Sequence, residues 1–151
     1  MTLFMDIHHL PPEVTPEMVN DAHMRDVEAQ EKHGVLYHGY WHDRDARTVS
    51  CLVEGPSREA CEAVHREAHG LAADDIIEVT SQGVTAFLGL ITMSASGVAL
   101  LPNGTPDTGL RVLLFTHLDN LVAVGSRFGD DACTAIGPQP RQHHASQRGK
   151  A

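Results

Sequence analysis

The chain has 151 residues, a length that suits one ordinary domain, and its formal net charge at pH 7 is −9. Residues 1–79 carry 16 of the 20 carboxylates but only 6 of the 11 Lys and Arg residues, so this half has a net charge of −10 and the remainder +1. An acidic N-terminal half argues against a nucleic-acid partner, whose phosphates need a basic surface, and favours a cation. The three cysteines form no Cys-x-x-Cys pair, which excludes a zinc ribbon and a disulfide framework.

The first predicted elements are a strand and a helix. Leu3–His9 is predicted to form the strand, and the helix is predicted over Pro16–His33. Thr15 suits the N-cap of this helix, and Gly34 suits its end because glycine adopts the left-handed conformation without strain.

Three strands and a second helix follow. Val35–Trp41 and Thr48–Glu54 are predicted to form a hairpin, a helix runs from a cap at Ser57 to Gly70, and Asp75–Thr80 is a short fourth strand. The resulting order, β-α-β-β-α-β, is that of the ferredoxin-like split βαβ unit. The predicted fold class is therefore α+β, with a C-terminal extension of uncertain order.

Strand alternation predicts which side chains share a face of the sheet. The first strand has Leu3, Met5 and Ile7 on the face predicted to pack under the helices, and Phe4, Asp6 and His8 on the open face. The second strand has Val35 and Tyr37 on one face, and Leu36, His38 and Tyr40 on the other. Because bare sheet faces are commonly covered by a partner, and a lone core of about 80 residues is marginal, we expect a homodimer in the form of a dimeric α+β barrel.

Histidine is concentrated in the N-terminal part of the chain, and neutral imidazole is a common ligand for transition metals. Eight of the 11 histidines lie within residues 1–69, namely His8, His9, His23, His33, His38, His42, His65 and His69. His65 and His69 are four residues apart on the second helix, a spacing that brings two imidazoles close enough to chelate one ion. The alternative is a solvated helix face near a C-terminus, where histidine suits the helix dipole.

The other candidate ligands also keep a structural alternative. His8 and His9 point to opposite faces of a strand, so each alone could be a structural histidine. His23 and Asp26 form an i,i+3 pair on the first helix, and Asp26 could equally be solvated. Cys51 lies between apolar strand residues, where a small core residue is the structural interpretation.

Several segments together resemble a small actinobacterial family of nickel-binding, ferredoxin-like proteins over residues 2–80. They are Phe4-Met5-Asp6-Ile7-His8-His9, Ala22-His23 with Asp26, Gly34-Val35 with Trp41, Cys51-Leu52-Val53-Glu54-Gly55-Pro56, Ala63-Val64-His65-Arg66-Glu67-Ala68-His69 and Ala73-Asp74-Asp75-Ile76-Ile77-Glu78-Val79. The resemblance implies a homodimer that binds nickel or a similar divalent ion through histidines and oxygen ligands, with no established catalytic reaction. Its matching positions are Asp6, His8, His9, His23, Cys51, His65 and His69.

To these positions we add His38, because the open face of the second strand is predicted to place it near His8. Zinc, cobalt and copper remain alternatives to nickel, since such sites accept these ions in an order set mainly by the ions themselves.

The C-terminal part is predicted to differ from the domain at 1–82. Val84–Leu101 has no charge but is only weakly apolar, so residues 83–109 are predicted to form a linker or docking segment rather than a membrane helix. Residues 110–132 resemble the opening of a class III nucleotide cyclase domain, with His117 where a metal-binding aspartate is expected. Residues 110–136 are therefore expected to be a degenerate remnant, and residues 137–151 have the composition of a disordered tail.

Two main functions follow from the sequence. The first is a metal-binding protein for buffering, storage or sensing, without a nucleic-acid or membrane partner. The alternative is an enzyme whose pocket lies on the open sheet face, with His8, His38 or Tyr40 as acid or base. A third is a regulatory remnant of a cyclase fusion. The N-terminus lacks the pattern of an export signal, so a cytoplasmic location is expected.

Overall fold

The computed structural model describes residues 1–114 and 126–127. Met1–Val112 form one compact unit, and Leu113–Ala151 form a second. The predicted cyclase-like segment and tail therefore lie largely outside the described residues, and the domain boundaries at 82, 109 and 136 stay predictions. Among the described residues, no helix is both long enough and apolar enough to cross a bilayer.

The first helix, α1, spans Pro16–Ala29 and continues as a 3₁₀ helix over Gln30–His33. Thr15 caps it, since its hydroxyl accepts a hydrogen bond from the Met18 N–H at 3.4 Å. Gly34 ends it at a φ of 65°, where its N–H donates to carbonyls of the last turn. The helix predicted over Pro16–His33 is confirmed, with its last turn tightened to 3₁₀ geometry.

Four antiparallel strands and a second helix complete the N-terminal part of the fold. They are β1 over Thr2–His9, β2 over Leu36–Asp43, β3 over Thr48–Gly55, α2 over Arg58–Ala68 and β4 over Asp75–Val79. The strand order in the sheet is β2-β3-β1-β4. This order and the β-α-β-β-α-β sequence confirm the predicted α+β, ferredoxin-like fold.

The two faces of β1 are reversed relative to the prediction. On the inner face of the sheet, which is the face toward α1 and α2, Phe4 packs with Val19 and Val64. Leu3 and Met5 lie on the outer face, in a separate apolar cluster. The prediction was wrong because it assumed that the helices cover the more apolar face. In this chain the helices instead bring polar partners to Asp6 and His8.

A β-bulge changes which side chains of β2 face the helices. The register of β2 against β3 shifts between Tyr37 and Gly39. One extra residue moves every later side chain to the other face. Tyr37 and Tyr40 therefore both lie in the core beneath the helices, although strict alternation predicted opposite faces for them.

Part of the outer face of the sheet is covered by the chain itself. The covering elements are α3 over Ser81–Leu88, β5 over Thr92–Met93 and β6 over Ala99–Leu100. From this segment, Val84 and Ala99 pack with Trp41 and Leu52 of the sheet. The face that was predicted to be bare is thus partly covered within one chain, and Leu36 and Ile77 on it stay exposed.

Candidate metal centre

His65 lies at the centre of a buried group of polar side chains between the helices and the inner face of the sheet. It projects from α2 and is 1% exposed. Its Nε2 lies 3.0 Å from Oδ2 of Asp6 on β1, and its Nδ1 lies 3.1 Å from Oδ1 of Asp26 on α1. The Tyr37 hydroxyl is 3.3 Å from the same Nε2. One imidazole thus joins a strand and both helices.

The two carboxylates keep His65 protonated. Burial lowers the pKa of His65, but the hydrogen bonds to Asp26 and Asp6 outweigh burial and raise the pKa to about 9. Burial acts to raise the pKa of Asp6, yet hydrogen bonds from His65 and His8 hold that pKa well below its usual value. The pKa of Asp26 is likewise lowered, against burial, by His65 and His69. Two buried carboxylates and one imidazolium leave a net negative charge that favours a cation.

Two groups of three side chains offer ligand atoms that lie within 4.8 Å of one another. The first group, here called site A, is Asp6, His8 and Cys51, and the second, site B, is Asp26, His65 and His69.

In site A, Nε2 of His8 is 3.6 Å from Oδ1 of Asp6, and the Cys51 N–H donates to the same oxygen at 3.1 Å. In site B, Nε2 of His69 is 3.2 Å from Oδ1 of Asp26. The Asp6–His65 hydrogen bond links the two sites.

The Cys51 thiol is neutral in the metal-free protein. Burial raises its pKa well above the usual value, and the charges of Asp6 and Asp26 raise it further. A bound ion would have to displace the thiol proton, because the thiolate is the form that binds metals. Metal binding through Cys51 would therefore release a proton.

A cavity of about 310 Å³ opens on both sites. Its polar lining comprises His8, His9, His23, Asp26, Tyr40, Cys51, His69 and Asp74. The rest of the lining is largely apolar and includes Leu10, Val14, Val19 and Leu71. Asp26 is the buried carboxylate that lines this cavity, beside His8 and Cys51 of site A and His69 of site B.

His23 lines the cavity but belongs to neither site. It is 5% exposed, and its Nδ1 is buried without a hydrogen-bond partner in the described structure. Burial lowers the pKa of His23, although Asp26 and Asp6 act in the opposite direction, so the imidazole is neutral near pH 7. An unpartnered nitrogen on a buried, neutral imidazole costs free energy and is suited to bind a ligand.

The remaining predicted ligands lie apart from sites A and B. His9 is exposed at the end of β1, where its Nδ1 lies 3.1 Å from Oδ2 of Asp74. His38 lies in a depression with Leu3 and Leu52 of the outer face, where its Nε2 is 3.4 Å from Oε2 of Glu54.

The expectation that His38 lies near His8 was wrong, because the two side chains are on opposite faces of the sheet. For the same reason His8, Tyr40 and His38 do not share the open-face pocket of the enzyme alternative: the first two face the helices.

Two residues of the centre were underrated or missed by sequence reasoning. Asp26 was weighed only as an additional ligand beside His23, yet it contacts both His65 and His69. Tyr37 was missed because nothing in the local pattern shows that its hydroxyl reaches His65. For Asp26, the sequence offered one signal, which was its i,i+3 spacing from His23.

Comparison with known proteins places the part of the chain that carries sites A and B in a family. A family model described as "Nickel responsive protein SCO4226-like" matches residues 4–79. The chain belongs to this family. The resemblance found in the sequence over residues 2–80 is thereby confirmed, and all residues of sites A and B lie within the matched range.

One solved relative is the subject of a "crystal structure analysis of SCO4226 from Streptomyces coelicolor A3(2)". It is 38% identical to this chain, with a TM-score of 0.48, and the match covers 51% of this chain and 94% of the relative. No curated protein matches the chain.

Proposed function

We propose that this protein binds a divalent transition-metal ion at sites A and B, with Ni²⁺ as the first candidate, and that it serves to buffer, store or sense that ion. The observation that carries the proposal is the convergence of two three-residue ligand groups on buried, linked carboxylates. The nickel-responsive family supports the choice of ion. Zn²⁺, Co²⁺ and Cu²⁺ would compete, because imidazole and carboxylate ligands accept all of them.

The donor set fits such an ion. Site A would supply a carboxylate, an imidazole and a thiolate from Asp6, His8 and Cys51, and site B a carboxylate and two imidazoles from Asp26, His65 and His69. A bound ion takes over the charge balance that the His65 proton provides in the metal-free protein, so binding at site B requires loss of that proton. The positive charge of the ion would then balance the carboxylates of Asp6 and Asp26, which both pair with the His65 imidazolium in the metal-free protein.

The test is a calorimetric titration of the full, chelator-treated chain with NiCl₂, beside elemental analysis of the protein as purified. His8→Ala and His69→Ala remove one partly exposed ligand from each site and spare the buried carboxylates. His33→Ala is the matched control, because His33 is also a partly buried histidine paired with a carboxylate, that of Glu67.

We expect stoichiometric Ni²⁺ binding by the unsubstituted protein, about tenfold or greater weakening in the two site variants, and no change in the control. Failure of the unsubstituted chain to bind Ni²⁺ or the competing ions would overturn the proposal. Equal affinity in all three variants would move the binding site away from sites A and B.

The homodimer and the cytoplasmic location expected from the sequence stay predictions. A dimer through the outer sheet face would have to displace α3 and the β5–β6 ribbon, which bury Trp41 and Leu52 there. We therefore expect a homodimer to use another surface. Light scattering of the full chain, with and without Ni²⁺, measures its mass directly.

A further inference from the structure

The turn between β5 and β6 reaches around the edge of the sheet to the metal centre. This 94–98 turn comprises Ser94–Val98. The Tyr40 N–H on edge strand β2 donates to the Gly97 carbonyl at 2.8 Å, and the Asn20 side chain on α1 donates to the Ser96 carbonyl at 3.3 Å. The turn therefore bridges a strand and a helix that both line the cavity.

The 94–98 turn is held in one shape by its own hydrogen bonds. The Ser94 N–H donates to the Val98 carbonyl at 2.8 Å, and the Val98 N–H donates to the Ser94 hydroxyl at 3.0 Å. Gly39, which follows the bulge in β2, leaves room for the turn, because a Cβ at Gly39 would overlap the Gly97 carbonyl and the Met93 side chain. Such a turn can serve as a fixed wall for a neighbouring side chain.

That neighbouring side chain is His23. The α-carbon of Gly97 lies so close to Nε2 of His23 that a Cβ on Gly97 would overlap this nitrogen. On another side, the ring centroid of Tyr40 is 4.8 Å from that of His23. With Nε2 against the turn, the imidazole still has its unpartnered Nδ1, and the ring lines the cavity of sites A and B.

We propose that the 94–98 turn is a positioning element of the metal centre: it holds the His23 imidazole so that Nδ1 serves as an additional ligand for an ion in the cavity. The proposal rests on the proposed function. A metal-ligating histidine presents one ring nitrogen to the ion while the surrounding protein holds the rest of the ring in place. At His23 the turn lies against Nε2, and Nδ1 is the nitrogen without a partner. The turn lies beyond the family-matched residues 4–79, so this chain adds a positioning element from outside the matched region.

Two glycines of the C-terminal segment provide a matched test. Gly97 and Gly104 have φ angles of 80° and 82°, so alanine causes similar backbone strain at both. Only Gly97 has a close neighbour, because a Cβ at Gly104 would meet nothing within 4 Å. Gly97→Ala and Gly104→Ala are compared in the full chain by NiCl₂ calorimetry and by the visible absorption spectrum of the Co²⁺-loaded protein.

We expect Gly97→Ala to weaken Ni²⁺ binding by roughly tenfold to a hundredfold and to change the Co²⁺ spectrum, whereas Gly104→Ala changes neither. His23→Ala should weaken binding to a similar extent, and adding Gly97→Ala to it should have no further effect. The positioning role would be overturned if the two glycine variants had the same Ni²⁺ affinity and the same Co²⁺ spectrum. It would also be overturned if Gly97→Ala weakened Ni²⁺ binding by its full factor in a protein that already carries His23→Ala.

The metal-free proteins give a second readout. Imidazole ¹H–¹⁵N spectra should show a change in the His23 ring signals in Gly97→Ala but not in Gly104→Ala. Unchanged His23 ring signals in Gly97→Ala would overturn the proposal. If Gly97→Ala does not fold, Asn20→Ala loosens the same turn by removing its bond to Ser96 and should act in the same direction. Absence of Ni²⁺ and Co²⁺ binding by the unsubstituted chain would instead overturn the proposed function itself.

Discussion

Raising the pH of the metal-free protein from 6.5 to 8.5 should destabilise it through His65. The pKa of His65 is raised from 6.5 to about 9 in the folded protein, and this side chain is 1% exposed. Because the folded state holds the proton more tightly than the unfolded state, the stabilisation is fully present below pH 6.5 and is lost as the pH rises through about 9.

The size of the effect follows from the difference between the two pKa values. At about 1.4 kcal/mol for each pKa unit, His65 contributes about 3 kcal/mol to the free energy of unfolding at low pH. About 2 kcal/mol of this is lost between pH 6.5 and 8.5. Above pH 9 the Cys61 thiol lowers the free energy of unfolding further, because burial raises its pKa to about 11. The range from pH 6.5 to 8.5 is therefore the one that reports on His65.

The assay is urea unfolding of the chelator-treated full chain at several pH values between 6.5 and 8.5, beside His65→Gln. The variant lacks the titrating group and should show a much smaller pH dependence in this window. If His65→Gln does not fold, an NMR titration of the His65 ring in the unsubstituted protein measures the same quantity. A constant free energy of unfolding over the window, or a ring that titrates near pH 6.5, would refute the reasoning.

Three further predictions concern the same centre. Ni²⁺ binding near pH 7 should release protons, because His65 is protonated in the metal-free protein. Calorimetry in two buffers of different ionisation enthalpy should therefore give different heats of binding. Equal heats in the two buffers would contradict this prediction. Tyr37→Phe should lower the free energy of unfolding by about 1 kcal/mol, because it removes the hydroxyl that lies 3.3 Å from His65 Nε2. The Ni²⁺ affinity of this variant should stay within about twofold of the unsubstituted protein. A large loss of affinity in calorimetry would make Tyr37 part of the ligand set. Cys51→Ala should abolish thiolate-to-nickel absorption and weaken Ni²⁺ binding. Cys61→Ala, which removes another buried cysteine of the described residues, should leave the absorption and the affinity unchanged. The same spectrum in both variants would remove Cys51 from site A.

The secondary structure was largely predictable because its signals are local. Thr15 and Gly34 marked the ends of the first helix, and both act through hydrogen bonds within a few residues. The i,i+4 spacing of His65 and His69 likewise predicted neighbouring rings, whose centroids are 5.3 Å apart.

The faces of the sheet were not predictable in the same way. Alternation along β1 separates Leu3 and Met5 from Asp6 and His8, but it does not say which set the helices cover. That choice depends on His65, whose imidazolium pairs with Asp6 and is itself held by Asp26. It depends also on α3, which packs on the other face. A bulge in β2 then reversed the expected side of Tyr40.

The sequence by itself determined the order of strands and helices, the acidic, histidine-rich character of the N-terminal half and the family to which it belongs. Each of these depends on residues that are close in the chain or on the pattern as a whole. Only the tertiary structure decided which of these histidines meet: His8 and His65 come together, His38 is excluded, and Gly97 lies against His23. These contacts join residues far apart in sequence, and their formation depends on how both faces of one sheet are covered.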